Sequence, residues 1–387
     1  MHGPPRPRRV ERSWALMRES VAGVVERSSA AARVSLEQYA DGHVIRSLDP
    51  SGDLGDVIRA FGEAVLRIAD HVGAGRLAAA AVDAGELNVQ GEVQKPLDVL
   101  SNDVVLTALR DVPAVAAVVS EELAQPQVFP DARGPYLVAV DPLDGSSNLD
   151  VNIPVGTIFS VLRRTGTGAE VDLTEFLQPG RDQVCAGFAL YGPATVLVLA
   201  TAAGAVAFTL DRTTGVLVRT HPHLRVPESA SEFAVNVSNE RFWPAPVRDF
   251  ISDCLAGRAG PRGQDYNMRW VASLVAEAFR ILTRGGVFLY PADSRSGTRA
   301  GRLRLLYECN PIAFVIEQAG GCASTGRGRV LDISPTALHQ RLPLVFGSSD
   351  EVAAVEGYHL DRACGVRPRS ARPEFPLFNT RTLFRGR

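Results

Sequence analysis

The chain has 387 residues, 45% of them hydrophobic, and a formal net charge of -2. That length exceeds one ordinary core, so two packed domains or one large domain of two halves are expected, and the near-neutral balance gives no reason to expect a nucleic-acid or membrane partner. No apolar run reaches the roughly 18 residues that cross a bilayer, and the opening MHGPPRPRRVERSWALMRES is charged but lacks the apolar centre of a signal peptide, so a cytoplasmic protein is expected.

In chain order, residues 1–34 are rich in Arg and Pro without a strong pattern and read as a mobile extension. From Leu54, the run LGDVIRAFGEAVLRIADHV sets Val57, Ile58, Phe61, Val65, Ile68 and Ala69 near one helical face, to pack on the body or on a neighbouring subunit. SNDVVLTALRD predicts a helix opened by a cap at Ser101 or Asn102, and AVAAVVSEE a buried strand that ends in charge. YLVAVD repeats the apolar strand running into acid. GTIFSVLRR, GFALYG, TVLVLATA and GAVAFTLD follow as short strands, which predicts a mostly β layer.

The polar stretch THPHLRVPESASE marks a boundary, giving an N-terminal half over 35–224 and a C-terminal half over 225–362. Beyond it a strand is expected at FAVNVS, a helix at MRWVASLVAEAFRILTRG, a strand at GVFLYP and a helix at NPIAFVIEQAGG closed by Gly320 and Gly321. The tail over 363–387 keeps Phe375, Phe378 and Phe384, so part of it is expected to dock on the surface. The five cysteines (Cys185, Cys254, Cys309, Cys322, Cys364) are scattered and never spaced CxxC, which favours reduced structural thiols over a redox switch. Strands and helices alternate in both halves, so the class is α/β or α+β with layered sheets.

The chemistry lies where acids follow apolar runs, because strand ends gather at one sheet edge, where clefts form. Such acids are Asp98 in KPLDVLSND, Glu121 and Glu122 in VVSEE, Asp141 and Asp144 in VDPLDGSSNLD, and Glu308 in LRLLYECNP. Pro142 restricts Asp141 to an extended backbone, Gly145 permits a tight turn, and Ser146 to Asn148 can start a helix whose N–H groups favour an anion. Carboxylates beside an anion would repel it unless a cation lies between. Hard divalent ions suit such oxygens, and no Cys and His cluster of zinc spacing occurs. A structural calcium loop would need more oxygen ligands within about 12 residues, ending in Glu. This stretch does not supply them.

On GEVQKPLDVLSND, VSEE, DPLDGSSNLDVNIPVGTIFSV, LQPGRDQVCAGFALYGP, GGVFLYP, GRLRLLYECNP and ALHQR, the sequence from about Gly52 to Gly347 resembles class I fructose-1,6-bisphosphatases of the bacterial type. These belong to the superfamily of lithium-sensitive, magnesium-dependent phosphatases. The DPLDGSS loop alone would indicate only that superfamily, which also includes inositol phosphatases. The resemblance implies a layered αβαβα sugar-phosphatase fold in two halves. It also implies hydrolysis of the 1-phosphate of D-fructose 1,6-bisphosphate by metal-activated water, with two or more Mg²⁺ per subunit, for which Mn²⁺ can substitute.

The same resemblance assigns metal ligands to Glu121, Asp141, the Leu143 carbonyl, Asp144 and Glu308, with Glu92 a further acid on a mobile loop. It assigns activation of the water to Asp98 and Glu122, and the 1-phosphate cradle to Gly145, Ser146 and Ser147 beside Asp144. The 6-phosphate end falls to Asn236, Arg269 and Tyr290, with Arg302 near the sugar. An Arg at position 269 that reaches a neighbouring subunit's site implies a homo-oligomer, usually a tetramer.

Departures from the family pattern also matter. Arg302 stands where many members have Lys, and its planar fork changes the contacts available to the sugar. Trp270 and Asn239 stand where Tyr is frequent, which removes two phenol donors. Pro135, before Tyr136, replaces a Lys that contributes to AMP inhibition in animal members, although Tyr136 and Arg163 match other parts of that site. Sedoheptulose 1,7-bisphosphatase activity, alone or in addition, is a second reading. A sugar-phosphate-sensing regulator on an inactive scaffold is a third. A role in gluconeogenesis, carbon fixation or both stays open.

Overall fold

The computed structural model describes residues 34–75, 95–130, 133–166, 168, 170–295, 297 and 299–365. Glu92, the expected N-terminal extension up to residue 33 and the Phe-bearing tail lie outside the described residues. The N-terminal half opens with two short helices, α1 (Leu36–Ala40) and α2 (His43–Leu48), followed by α3 (Asp53–Ala74) and α4 (Pro96–Arg110). In α3 the buried residues Val57, Ile58, Phe61, Val65 and Ile68 recur at helical spacing. Asp53 and Asp56 sit in its first turn, where the helix dipole favours negative charge.

The expected cap of α4 is corrected. The helix begins at Pro96, with Lys95 as N-cap, because Asp98 accepts the Lys95 N–H at 2.9 Å and proline is preorganised for a first helical position. Ser101 and Asn102 are buried inside the helix, where Asn102 accepts the Ser120 hydroxyl at 2.7 Å.

Eight strands follow: β1 (Val115–Ser120), β2 (Gln127–Val128), β3 (Tyr136–Asp144), β4 (Val155–Arg163), β5 (Gln183–Tyr191), β6 (Thr195–Thr201), β7 (Gly204–Asp211) and β8 (Val216–Leu224). They form one sheet in the order β2-β1-β3-β4-β5-β6-β7-β8, antiparallel from β3 onward with β1 parallel to β3. The β layer expected from the close-set strands is this meander.

The second half holds β9 (Glu232–Ala234), α5 (Ala245–Leu255), β10 (Asn267–Met268), α6 (Leu274–Arg284), β11 (Val287–Tyr290), β12 (Leu303–Arg304), α7 (Asn310–Gln318), β13 (Cys322–Ser324), β14 (Arg341–Leu342), β15 (Leu344–Gly347) and α8 (Ser349–Ala363). Its five-stranded sheet runs β10-β9-β11-β15-β13, with β10, β9 and β11 parallel. Two expectations are shortened here. FAVNVS is strand only to Ala234, because the Asn236 side chain accepts the Ser238 N–H at 3.2 Å and turns the chain into a 3₁₀ turn. The helix foreseen from Met268 starts at Leu274, since Met268 pairs with Phe233 in the sheet and Ser273 caps the helix through Ala276 N–H.

Alternation of side chains across the strands gives the large sheet two buried faces. One takes α3 and α4, and there the Phe61 ring stacks on Phe159 with centroids 3.8 Å apart. The other, through Ile158, Phe188 and Val198, takes α6 and α7. The small sheet covers those two helices with Phe288 and Phe346, and its outer residues Phe233, Val287 and Val345 carry α5 and α8. The stack is helix, sheet, helix, sheet, helix, which is the layered α/β class expected. Among the described residues no helix is long and apolar enough to cross a membrane.

Candidate metal and phosphate site

Asp141 and Asp144 are three residues apart on β3, a spacing that points side chains to opposite faces of a regular strand. The β3–β4 register resolves this. Asp141 pairs with Ile158 and Asp144 with Gly156, so Pro142 and Leu143 together oppose the single residue Thr157. This is a β-bulge, and its extra residue returns both carboxylates to one side. Proline is tolerated there because a bulge frees it from donating to the ladder. The Thr157 hydroxyl donates to the Pro142 carbonyl at 2.9 Å, and Leu143 N–H donates to Asp141 Oδ1 at 3.1 Å, which pins the bulge.

Opposite Asp144, a Cβ on Gly156 would lie 2.2 Å from the Ala189 carbonyl and 2.6 Å from Val275. Only glycine lets the start of α6 approach this closely. Val275 N–H then donates to Asp144 Oδ2 at 3.3 Å, so a helix N-terminus faces the carboxylate.

Glu308 arrives from a π-helical turn, Leu305–Cys309, ahead of α7. It does not sit at a strand end as its apolar flank suggested. Carboxylate oxygens of Asp141, Asp144 and Glu308 all lie within 4.8 Å of one another, and all three residues are buried. Glu121 follows β1, with its N–H on the Val140 carbonyl at 3.0 Å, and so stands beside Asp141.

The electrostatics follow from this crowding. Burial, then the charges of Glu121, Asp144 and Glu308, raises Asp141 well above the usual carboxylate range. Glu308 is raised by burial and Glu121, with Arg304 opposing. Asp144 is pushed up to about 7 by burial, against the Val275 N–H. Buried like charges are costly unless a cation joins them. Three hard oxygen donors in one buried cluster fit a divalent ion of that preference.

Asp98 is the second correction among the acids, for it lies in the first turn of α4 and not at a strand end. One carboxylate oxygen takes the Lys95 N–H, while Oδ1 is buried with no hydrogen-bond partner. Burial is the largest influence on it, opposed by the Lys95 N–H and reinforced by Glu122 and Glu121, and the net effect raises its pKa to about 6. A group of that strength is suited to proton transfer near neutral pH. Half-buried Glu122 follows Glu121 and donates its N–H to Ser120 Oγ at 3.3 Å.

After Asp144, Gly145 adopts φ 76°, a left-handed conformation cheap only for glycine, and a 3₁₀ turn runs over Ser146–Val151. Gly145, Ser146 and Ser147 are therefore at the head of a turn directly beside the acids. Asn148 lies within this turn. Its buried side chain donates to the Ala272 carbonyl at 2.7 Å, which ties this turn to the segment that carries Arg269.

The proposed sugar end assembles at the other sheet. Arg269 follows β10, Asn236 follows β9 and Tyr290 ends β11, so all three stand at the C-terminal edge of three parallel strands, where α/β sheets bind ligands. Tyr290 and Asn236 are half-buried, with Trp270 edge-on to Tyr290 at 6.2 Å between centroids. The Arg269 side chain is 46% exposed, with Nε 3.6 Å from Glu232. Arg302 is half-buried, immediately before β12.

Two residues of the site escaped sequence reasoning. Lys95 Nζ donates to the Ser146 carbonyl at 3.1 Å and pairs with Asp150 at 2.5 Å, so it braces the phosphate turn from the α4 side. Arg304 pairs its guanidinium with Glu121 and gives its backbone N–H to Glu308 at 2.5 Å. Both lie inside the quoted blocks, in QKPLD and LRLLYEC, and a cation adjacent to a metal-ligand acid was the available signal.

A family model for the fructose-1-6-bisphosphatase N-terminal domain matches residues 36–222, and one for the C-terminal domain matches residues 226–360. A fructose-1,6-bisphosphatase class 1 of Hydrogenophilus thermoluteolus is 52% identical over 91% of this chain and 97% of its own. The class 1 protein of Methylacidiphilum infernorum is 48% identical over 88% and 94%. The crystal structure of Leishmania major fructose-1,6-bisphosphatase in holo form has a TM-score of 0.78 at 35% identity, covering 85% of this chain and 99% of that one.

Proposed function

This chain belongs to the fructose-1,6-bisphosphatase family, and from that premise we infer that it is a phosphoric monoester hydrolase that converts D-fructose 1,6-bisphosphate and water to fructose 6-phosphate and phosphate. The observation that carries the reading is the bulge of β3, which brings Asp141 and Asp144 together with buried Glu308 beside the Gly145–Ser147 turn.

Asp141, Asp144, Glu308, Glu121 and the Leu143 carbonyl would hold Mg²⁺, two or more per subunit, with Mn²⁺ as a substitute and Glu92 adding an acid from outside the described residues. Bound there, the cations would lower the pKa of the attacking water and offset charge on the phosphoryl oxygens. The remaining work belongs to the chain. Asp98, through its unpartnered Oδ1, with Glu122 beside it, accepts a proton from the water that attacks the 1-phosphorus, while the bond from phosphorus to the sugar O1 breaks and that oxygen takes up a proton to leave as the hydroxyl. N–H groups and hydroxyls of Gly145, Ser146 and Ser147 hold the 1-phosphate in line, and positioning supplies much of the acceleration in phosphoryl transfer.

Asn236, Tyr290 and Arg269 bind the 6-phosphate, and Arg302 touches the sugar. Exposure of Arg269 supports its reaching a neighbouring subunit in a homotetramer, and the protein is read as cytoplasmic. Activity on sedoheptulose 1,7-bisphosphate is a second reading, raised by the Trp270 indole beside Tyr290. Relative turnover of the two sugars decides it. Phosphate release from fructose 1,6-bisphosphate with Mg²⁺, abolished by EDTA, is the expected result, and a purified, folded chain that releases none overturns the assignment.

A further inference from the structure

We propose that Glu277, Arg280 and Glu232 form a positioning network for Arg269, which holds the segment Arg269–Ser273 so that the Arg269 guanidinium is presented to the 6-phosphate. The inference rests on the reading of Arg269 as a 6-phosphate group, and adds three residues that act through it without touching substrate. The segment leaves β10 and enters α6. Arg269 N–H donates to the Phe233 carbonyl at 2.8 Å, and at the far end Ser273 caps α6. Between these anchors Ala272 has φ 59°, a left-handed backbone that a residue with a Cβ adopts at a cost and keeps only where its surroundings hold it.

Two side chains hold the strained stretch. Asn148 reaches the Ala272 carbonyl from the phosphate turn, at 2.7 Å. From α6, Glu277 Oε1 accepts the Val271 N–H at 2.9 Å. Glu277 is 0% exposed, and an acid buried so completely is costly unless it is partnered. Burial raises its pKa, and the Arg280 guanidinium opposes that rise.

The partners lead back to Arg269. Glu277 Oε2 accepts Arg280 Nε at 2.9 Å, and Arg280 Nη1 donates to Glu232 Oε2 at 2.9 Å and to the Gly285 carbonyl at 3.3 Å. Glu232, at the start of β9, places its Oε1 3.6 Å from Arg269 Nε and pairs the same oxygen with Arg284. One network therefore grips the segment twice, by the Val271 main chain and by the Arg269 side chain. Contact at Nε leaves the terminal nitrogens of Arg269, the fork that matches phosphate oxygens, for a ligand. Restraining a long side chain before binding lowers the entropy that the phosphate contact must offset.

The test is steady-state hydrolysis of fructose 1,6-bisphosphate by the full chain with Mg²⁺, together with calorimetric titration with fructose 6-phosphate, which carries the phosphate assigned to Arg269. Glu277→Gln keeps the shape and an oxygen for Val271, but its amide cannot also accept from Arg280 without setting N–H against N–H. KM and the Kd for fructose 6-phosphate should rise about fivefold with kcat changed less than about twofold, and the rise should vanish in an Arg269→Ala background. A lower melting temperature with KM and Kd unchanged would show a purely structural role and overturn the proposal, as would an equal rise with and without Arg269. If Arg269→Ala alone leaves KM and Kd unchanged, the reading of Arg269 falls and the network with it. If Arg269→Ala raises them and Glu277→Gln does not, only the network is overturned. Should Glu277→Gln fail to fold, Arg280→Lys keeps the charge but loses the fork that joins Glu277 to Glu232, and the same split between KM and kcat is expected; an unchanged KM there overturns the proposal.

Discussion

The two ends of the proposed substrate site are built on opposite physical plans. At the proposed metal end, Asp141, Asp144 and Glu308 are buried, and that burial, with the charge of Glu121 beside them, raises their pKa values. At the sugar end, Asn236, Tyr290 and Arg302 are half-buried, and Arg269 is largely open. The proposed chemistry is thereby placed among buried groups, and the proposed recognition among more exposed ones. The plan predicts a gradation of effects.

The largest is Asp98→Asn, which should cut kcat by about 10²–10⁴-fold with the thermal midpoint largely preserved, because the amide oxygen can still accept the Lys95 N–H while the buried charge is removed. Near-normal turnover would end its role as base. Next, Arg269→Ala should raise KM by about 10- to 100-fold with kcat largely kept, the loss expected for a charged hydrogen bond made in ground and transition states alike. A fall in kcat matching that of Asp98→Asn would break the division between the ends.

Asn148→Ala removes one neutral hydrogen bond that ties the ends together, and kcat/KM should fall about fivefold. Smallest is a shift in stability. Asp98 and Asp144 have folded values of about 6 and 7 against an ordinary 3.8, so over that interval the native chain holds more protons than the unfolded chain. Metal-free protein should therefore lose several degrees of melting temperature between pH 5 and pH 8, and added Mg²⁺ should reverse the loss. A melting temperature that rises with pH would contradict the crowding of the acids.

The layered class, the meander and the long helix from residue 53 were legible because apolar periodicity reports burial directly. Less legible were elements whose limits depend on distant partners. Met268 becomes strand because Phe233 lies beside it, and the first turn of α4 is set by Asp98 reaching back to Lys95. Residue identity pointed to the acids but not to their placement. Asp98 and Glu308 both looked like strand ends, yet one sits in a helix cap and the other on a π-turn, since any apolar segment before an acid reads alike whatever its backbone. Lys95 and Arg304 went unread because a cation gains meaning only from the acid it meets in space.

The bulge at Pro142 and Leu143 makes this site a matter of parity. Two aspartates three positions apart face the same way only because one residue too many lies between their partners on β4, so the arrangement counts residues before it reads them. Replacing the Leu143 side chain keeps the count and leaves both carboxylates where they are. Deleting Leu143, or inserting one residue opposite it, turns one aspartate to the far side of the sheet, and no change of side chain can bring it back.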